Sequence, residues 1–325
     1  MKVLVTGGAG YIGGTVVRQL LAAGHQVVVL DDLGHGKRAN VPDSVAFVQG
    51  GIGDAAILDN ICAAHKFDGI LHFAALIEAG ESMHHPERFF RNNTAATTVL
   101  LQAVIDHKIP RLVFSSTAAV YGNPLRIPIE EDAVKAPTNV YGESKLLVEQ
   151  MLPWLAQIHG LRYAVLRYFN VAGALEDYGE AHEPETHLIP LILDVALGKR
   201  ASIKIFGTDY DTPDGTCIRD YIHVADIGRA HLLALEALDT NSRLTYNLGN
   251  GCGFSVREVI EAARRVTGHP IPVVEEPRRE GDPAQLVASS EKIQLELGWR
   301  PEVPAIEDIL ASAWRWHQLK FGKPK

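Results

Sequence analysis

The stretch Lys2-Val3-Leu4-Val5-Thr6-Gly7-Gly8-Ala9-Gly10-Tyr11-Ile12-Gly13 decides how the rest of the chain is read. A β-branched apolar run enters a glycine turn, and a helical pattern follows over residues 11–23. Gly7 and Gly10 permit a tight turn and close backbone approach to a pyrophosphate, while Gly13 permits close helix–strand packing. The helix start, at Tyr11 and Ile12, adds amide donors and a partial positive charge. Glycines also collect in ordinary strand-to-helix turns, so the triplet gains its weight from context. A strand precedes it, a helix follows, and the second apolar strand, Val27-Val28-Val29-Leu30, ends at Asp31 and Asp32. A carboxylate there can hold both hydroxyls of an adenosine ribose and repels a 2′-phosphate, which favours NAD over NADP. Asp31 equally suits a cap on the turn that Gly34 and Gly36 continue.

The same alternation extends outward. Helical patterns over residues 54–65, 86–107 and 140–159 separate short strands at 69–73, 111–115 and 162–167. This rhythm predicts an α/β fold, a Rossmann-type doubly wound parallel sheet. Beyond about Val171 the pattern loosens into Gly/Pro/acid-rich loops at 173–184, 207–215 and 275–283, with helices near 224–238, 255–266 and 305–319. The expected division is a dinucleotide-binding domain over 1–172, with a returning segment near 216–250, and a smaller mixed α/β substrate domain over 173–325.

Composition narrows the function classes. The 325 residues are 46% hydrophobic and 22% charged, an ordinary globular balance. The net charge of −8 offers no basic face for nucleic acid, and no apolar run is long enough to cross a bilayer. Three widely spaced cysteines, Cys62, Cys217 and Cys252, suit free thiols in a reducing compartment, and the short apolar N-terminal run reads as a strand rather than a signal peptide. A cytoplasmic location is expected. His182, Glu183 and His187 match no standard zinc spacing, so no metal is expected there. Trp314 and Trp316 read as helix packing.

Of the nine tyrosines, only Tyr141 has a Lys four positions on, Lys145, which places the pair on one helical face. A nearby ammonium and a positive nicotinamide ring favour phenolate and lower the phenol toward neutrality, making a general base for an alcohol that loses hydride. An exposed helix pair has the same spacing. The preceding strand, however, ends in Phe114-Ser115-Ser116-Thr117, and ligands of open α/β sheets sit outside such strand ends. Thr117 can therefore join Tyr141 at a reacting hydroxyl, or cap a local turn.

These residues resemble the extended short-chain dehydrogenase/reductase family over nearly the whole chain. Shared features include the 6–13 turn, Phe73-Ala74-Ala75, Asn92-Asn93, Tyr141–Lys145 and Arg167-Tyr168-Phe169-Asn170. The 214–223 stretch and Arg278-Arg279-Glu280-Gly281-Asp282 resemble UDP-hexose epimerases in particular. The resemblance implies a tightly bound NAD and 4-epimerisation between UDP-galactose and UDP-glucose through a 4-keto sugar, with Tyr141 as base beside Thr117 and Lys145. It assigns Gly36, Gly51, Ile52, Phe73, Ala74, Ala75, Asn92, Ser115 and Phe169 to the cofactor. Arg219 and Arg279 would hold the diphosphate and Asp282 ribose or uridine hydroxyls, with Asn170, His187, Leu188, Lys204 and Phe206 lining the groove. Two separated arginines in an acidic chain also suit surface ion pairs. The helices at 86–107 and 140–159 resemble a four-helix dimer interface, so a homodimer is expected.

Four positions depart from the epimerase pattern. Gly51 replaces an Asp, Ile77 a Lys, His187 an Asn, and Leu286 aligns with a Tyr that crowds the hexose. His187 adds a pH dependence, and Leu286 leaves room for N-acetylated sugars. UDP-glucuronate or UDP-pentose epimerases remain open. A 4,6-dehydratase would need an acid pair where Ala118-Ala119 follow Thr117, and a non-catalytic NAD-binding regulator has no need of the intact Tyr141, Lys145 and Thr117.

Overall fold

Val3 and Val5 face one side of the first strand and Leu4 the other, and all three are fully buried. Val27 and Val29 alternate with Val28 and Leu30 in the same way. The central sheet therefore has a core on each face, which is why its strands read as unbroken apolar runs. Each such side chain stabilises the fold by about 1.5–3 kcal/mol. A computed structural model describes residues 1–279 and 282–322; Glu280 and Gly281, quoted above, lie outside the described residues.

In chain order the elements begin with β1 Lys2–Thr6, α1 Tyr11–Ala22, β2 Gln26–Asp31, β3 Ala46–Gln49, α2 Ala55–Ala64 and β4 Gly69–His72. Next come α3 Ala79–Ser82, α4 Pro86–Phe89, α5 Ala96–Asp106, β5 Arg111–Thr117, α6 Val140–His159, β6 Arg162–Tyr168 and β7 Asn170–Ala172. Then follow α7 Leu188–Ala196, β8 Ile203–Phe206, β9 Ile218–His223, α8 Val224–Ala237, β10 Arg243–Leu248 and β11 Gly253–Ser255. The last are α9 Val256–Thr267, β12 Val273–Glu276, β13 Gln285–Leu286, α10 Glu291–Leu297 and α11 Ile306–Phe321.

Seven parallel strands form the main sheet in the order β10-β6-β5-β4-β1-β2-β3. Residues of α1 and α8 cover one face, and residues of α2, α5 and α6 the other. The winding reverses between β1 and β4, and a crevice opens at their C-terminal ends. The expected return over 216–250 divides in the structure. β9 stays in a small sheet with β7, β11 and β13, and only α8 and β10 rejoin the large one. A third core of α7, α9 and α11, including Trp314, supports the smaller part.

Two features differ from the sequence expectation. The helix expected over 86–107 is α4, a widened turn at Phe90–Ala95, and then α5. Such a π-type turn inserts an extra residue and redirects side chains. Here Asn93 accepts from Leu76 N and donates to Leu76 O, both at 2.9 Å. The unexpected strand, β3, is an edge strand with two of its four residues exposed and two half-buried, so no apolar run announces it.

Candidate active site

Gly7 has φ +74°, and a Cβ there would lie 2.6 Å from Ala74 N. A Cβ on Gly13 would lie 2.2 Å from Gly7 O. Only hydrogen fits at either place. The N-terminus of α1 has no side-chain cap and no acidic residue in its first turn, and Gly10, Tyr11, Ile12 and Gly13 border the cleft. Uncapped amides beside close-approach glycines fit a dinucleotide pyrophosphate.

Asp31 caps the turn and still faces the cleft. Its Oδ2 accepts from Ala9 N at 2.9 Å and its Oδ1 from Leu33 N at 2.8 Å, yet it borders the cleft. Each oxygen keeps a lone pair for a ribose hydroxyl. Burial raises its pKa against those two bonds. Asp32 Oδ1 accepts from Gly34 N at 2.8 Å, and Gly36 approaches Ala9 so closely that a Cβ would lie 2.8 Å from its carbonyl carbon. Gly51, Phe73, Ala74, Ala75, Asn92 and Phe169 border the same half of the cleft. The side chain of Ile52 belongs to the core below the sheet, so its backbone is what it offers a cofactor.

Tyr141 and Lys145 lie one turn apart on α6, which Asn139 caps by accepting from Gly142 N at 2.8 Å. Thr117 Oγ1 accepts from Ala119 N at 3.1 Å, capping a turn, and its side chain lies close enough to Tyr141 to lower the phenol's pKa. Thr117 thus caps the local turn and also borders the cleft beside Tyr141. Lys145 Nζ donates to Ser115 O at 3.0 Å. The expected lowering of the phenol is reversed in the protein alone. Burial pushes Tyr141 up to about 12, with Thr117 pulling it down and Glu78 pushing it further up. Burial likewise lowers Lys145 to about 7, opposed by Glu149. Desolvation penalises both charged forms, so phenolate at neutral pH requires positive charge beyond that of Lys145.

Asn170, His187, Leu188, Lys204, Phe206, Arg219, Arg279 and Asp282 border the other half of this cleft of about 1880 Å³. The two arginines converge on Asp282: Arg219 Nη2 is 3.8 Å and Arg279 Nε 3.1 Å from its carboxylate. Arg219 is further fixed by donating to Ile218 O and Pro283 O at 2.9 and 2.8 Å. Asp282, expected to hold nucleoside hydroxyls, here orients the arginines. Lys204 pairs with Glu276 at 2.9 Å on the exposed side of β8.

His187 corrects another expectation. Burial would lower its pKa, but Glu185, Glu180 and Glu78 together raise it to about 9, so it stays cationic through neutral pH and adds no titration there. The loop also brings together residues that the zinc spacing of His182, Glu183 and His187 did not include. Glu183 turns away to Lys37, 3.4 Å distant, while Glu180 and Glu185 join His182 and His187 in one cluster.

Sequence reasoning missed Tyr168, Glu78 and Tyr178. Tyr168 is buried and its hydroxyl is hydrogen-bonded to His231 Nε2; Tyr178 OH donates to Gly10 O at 2.7 Å and its ring lies 3.9 Å from the Arg18 guanidinium. An aromatic inside an acid-rich loop was the one available signal for Tyr178.

A glycine turn, the Tyr141/Thr117/Lys145 group and the Arg219/Arg279 pair share one crevice, and the class follows from the family. The chain belongs to the NAD dependent epimerase/dehydratase family, whose pattern matches residues 3–249. It is 52% identical over 321 residues to the UDP-glucose 4-epimerase of Halalkalibacterium halodurans, covering 98% of this chain and 96% of that protein. A crystal structure of a UDP-glucose 4-epimerase superimposes with TM-score 0.96 at 46% identity, covering 100% of both chains. The Bifidobacterium longum UDP-glucose 4-epimerase in complex with NAD+ and UDP superimposes with TM-score 0.94 at 38% identity, covering 99% of each.

Proposed function

We propose that this protein is an NAD-dependent 4-epimerase that interconverts UDP-galactose and UDP-glucose. The observation that carries the reading is the convergence of Tyr141, Thr117 and Lys145 at the end of β5, in one cleft with the glycine turn and the Arg219/Arg279 groove. NAD, when bound, supplies a reversible hydride acceptor and the positive charge that the Tyr141 phenol lacks. Tyr141 then takes the proton from O4 of the sugar and later returns it. Thr117, which accepts from Ala119 N, would turn its one hydroxyl proton from the phenol to the same sugar hydroxyl when substrate is bound. Lys145 holds charge beside the phenol. Arg219 and Arg279 grip the diphosphate, so binding energy is concentrated away from the hexose, which must present both faces.

Proton NMR of the anomeric region during incubation with UDP-galactose tests this. UDP-glucose should grow to equilibrium without added NAD. A product lighter by one water would instead assign a 4,6-dehydratase, and no change with any UDP-sugar a non-catalytic NAD-binding regulator.

One observation favours a wider substrate range. Leu286 borders a side pocket of about 180 Å³ together with Thr117, Arg219 and Asp282, where an N-acetyl group on C2 would fit. Turnover of UDP-N-acetylglucosamine in the same assay tests it. We also propose a homodimer through α5 and α6: Trp154 and Ile158, one turn apart on α6, are 64% and 67% exposed. Trp154→Glu should halve the mass seen by light scattering. Among the described residues, no helix is long and apolar enough to cross a membrane.

A further inference from the structure

The loop between β7 and α7 gathers four donor side chains to which the proposed proton transfer gives no role, three of them, Glu180, His182 and His187, bordering the same cleft. One ligand atom from each of Glu180, His182, Glu185 and His187 lies within 4.8 Å of the other three. They fall into two touching pairs. His182 Nδ1 meets Glu180 Oε1, and His187 Nδ1 lies 2.8 Å from Glu185 Oε1. The two imidazole rings are 5.8 Å apart between centroids.

Two details separate this cluster from a pair of ordinary surface ion pairs. Glu180 Oε1 and His182 Nδ1 are buried and in contact, yet neither has a hydrogen bond of proper geometry among the described residues. Glu185 accepts Thr186 N, His187 N and His187 Nδ1 all on Oε1, which leaves lone pairs free on Oε2. The backbone holding them is anchored, since Trp316 Nε1 donates to Glu180 O at 2.8 Å.

We infer that Glu180, His182, Glu185 and His187 form a binding site for one divalent transition cation of the zinc type. Two imidazole nitrogens and two carboxylate oxygens match the donor set and number of four-coordinate zinc, whereas calcium and magnesium seek six or more oxygen ligands. Bonds of about 2.0–2.1 Å imply donors about 3.3 Å apart in a tetrahedron. The cluster reaches that by drawing in less than about 2 Å, within the reach of side-chain rotation. Because metal ligands bind in their deprotonated forms, loading should release protons. All four positions are filled by protein, which makes the role structural: the ion pins the loop to the first turn of α7, where Leu188 borders the sugar half of the cleft.

The test uses the full chain with its bound NAD, stripped with EDTA and titrated with Zn²⁺ and, separately, Co²⁺. One equivalent of zinc should bind with proton release and a rise in Tm, and Co²⁺ should give the visible spectrum of a four-coordinate site. Glu180→Gln and His182→Asn, each checked for retained NAD, should weaken zinc binding at least about 100-fold. Wild type that binds no zinc, or that binds it no better than these two variants, would overturn the assignment in favour of two hydrogen-bonded Glu–His pairs. Epimerase turnover is not the readout, so this outcome stands apart from that of the proposed reaction.

Discussion

The ammonium of Lys145 rests on the carbonyl oxygen of Ser115, 3.0 Å away. In the reaction we propose, Lys145 so engaged contributes charge and position, and Tyr141 is the proton acceptor. Tyr141→Phe should lower kcat by about 10²- to 10⁴-fold while NAD remains bound, as read by turnover and by the absorbance of the released cofactor. Turnover within a factor of two of wild type would remove Tyr141 from the mechanism.

Two glycines of the cofactor half should respond in opposite directions. Gly13→Ala places a methyl 2.2 Å from Gly7 O, and the purified protein should lose its NAD. A Cβ at Gly51 meets nothing within 4 Å, and Gly51 borders the cleft. Gly51→Asp should therefore be tolerated and tighten NAD by about tenfold, the size of one charge-assisted hydrogen bond. Calorimetric titration of stripped protein measures both; a weaker Gly51→Asp complex would deny the site its carboxylate role.

The two arginines differ in preparation. Arg219 is 12% exposed and held by two carbonyls, while Arg279 is 60% exposed, paired with Asp282 and stacked over the Phe206 ring 4.7 Å away. Arg219 loses less freedom on binding an anion. Arg219→Ala should raise KM for UDP-galactose about 10- to 100-fold, more than Arg279→Ala, with kcat little changed. Equal effects would mean that the geometry of Arg219 contributes nothing extra.

Stability should carry a histidine signature in acid. His231, between Tyr168 and Ile227 O, is lowered by burial to about 4, partly offset by its bond to Ile227, and His72 is lowered by burial and Lys145 to about 3. Below pH about 6.5 the unfolded chain takes up these protons and the folded chain does not, so stability present above 6.5 is lost as pH falls toward 4. For His231 alone the loss is about 3 kcal/mol. His231→Gln should flatten the dependence of urea stability on pH between 6.5 and 4.5 by about one proton; an unchanged slope would contradict a neutral buried His231.

What local spacing encodes was legible before any coordinates. The glycine turn, Asp31 at a strand end, and Tyr141 four residues before Lys145 are each specified by neighbours within one turn of chain. Long-range convergence was not: Asp282 meets Arg219 across 63 residues, and no periodicity reports it. The raised pKa of Tyr141 was also hidden, because desolvation depends on what packs around the phenol. Glu180, His182, Glu185 and His187 sit close in sequence, but an irregular loop has no period from which to read that they face one another. β3 escaped notice because an edge strand with no fully buried residue leaves no apolar trace.

The late arrival of β10 has a consequence for synthesis on the ribosome. β6 borders β10, and 74 residues separate Tyr168 from Arg243. Until they emerge, the nascent chain presents an unpaired strand edge, a template for pairing with another chain. Any pause in translation after β6 prolongs that exposure, so slow codons between the two strands should reduce soluble yield without altering the finished protein.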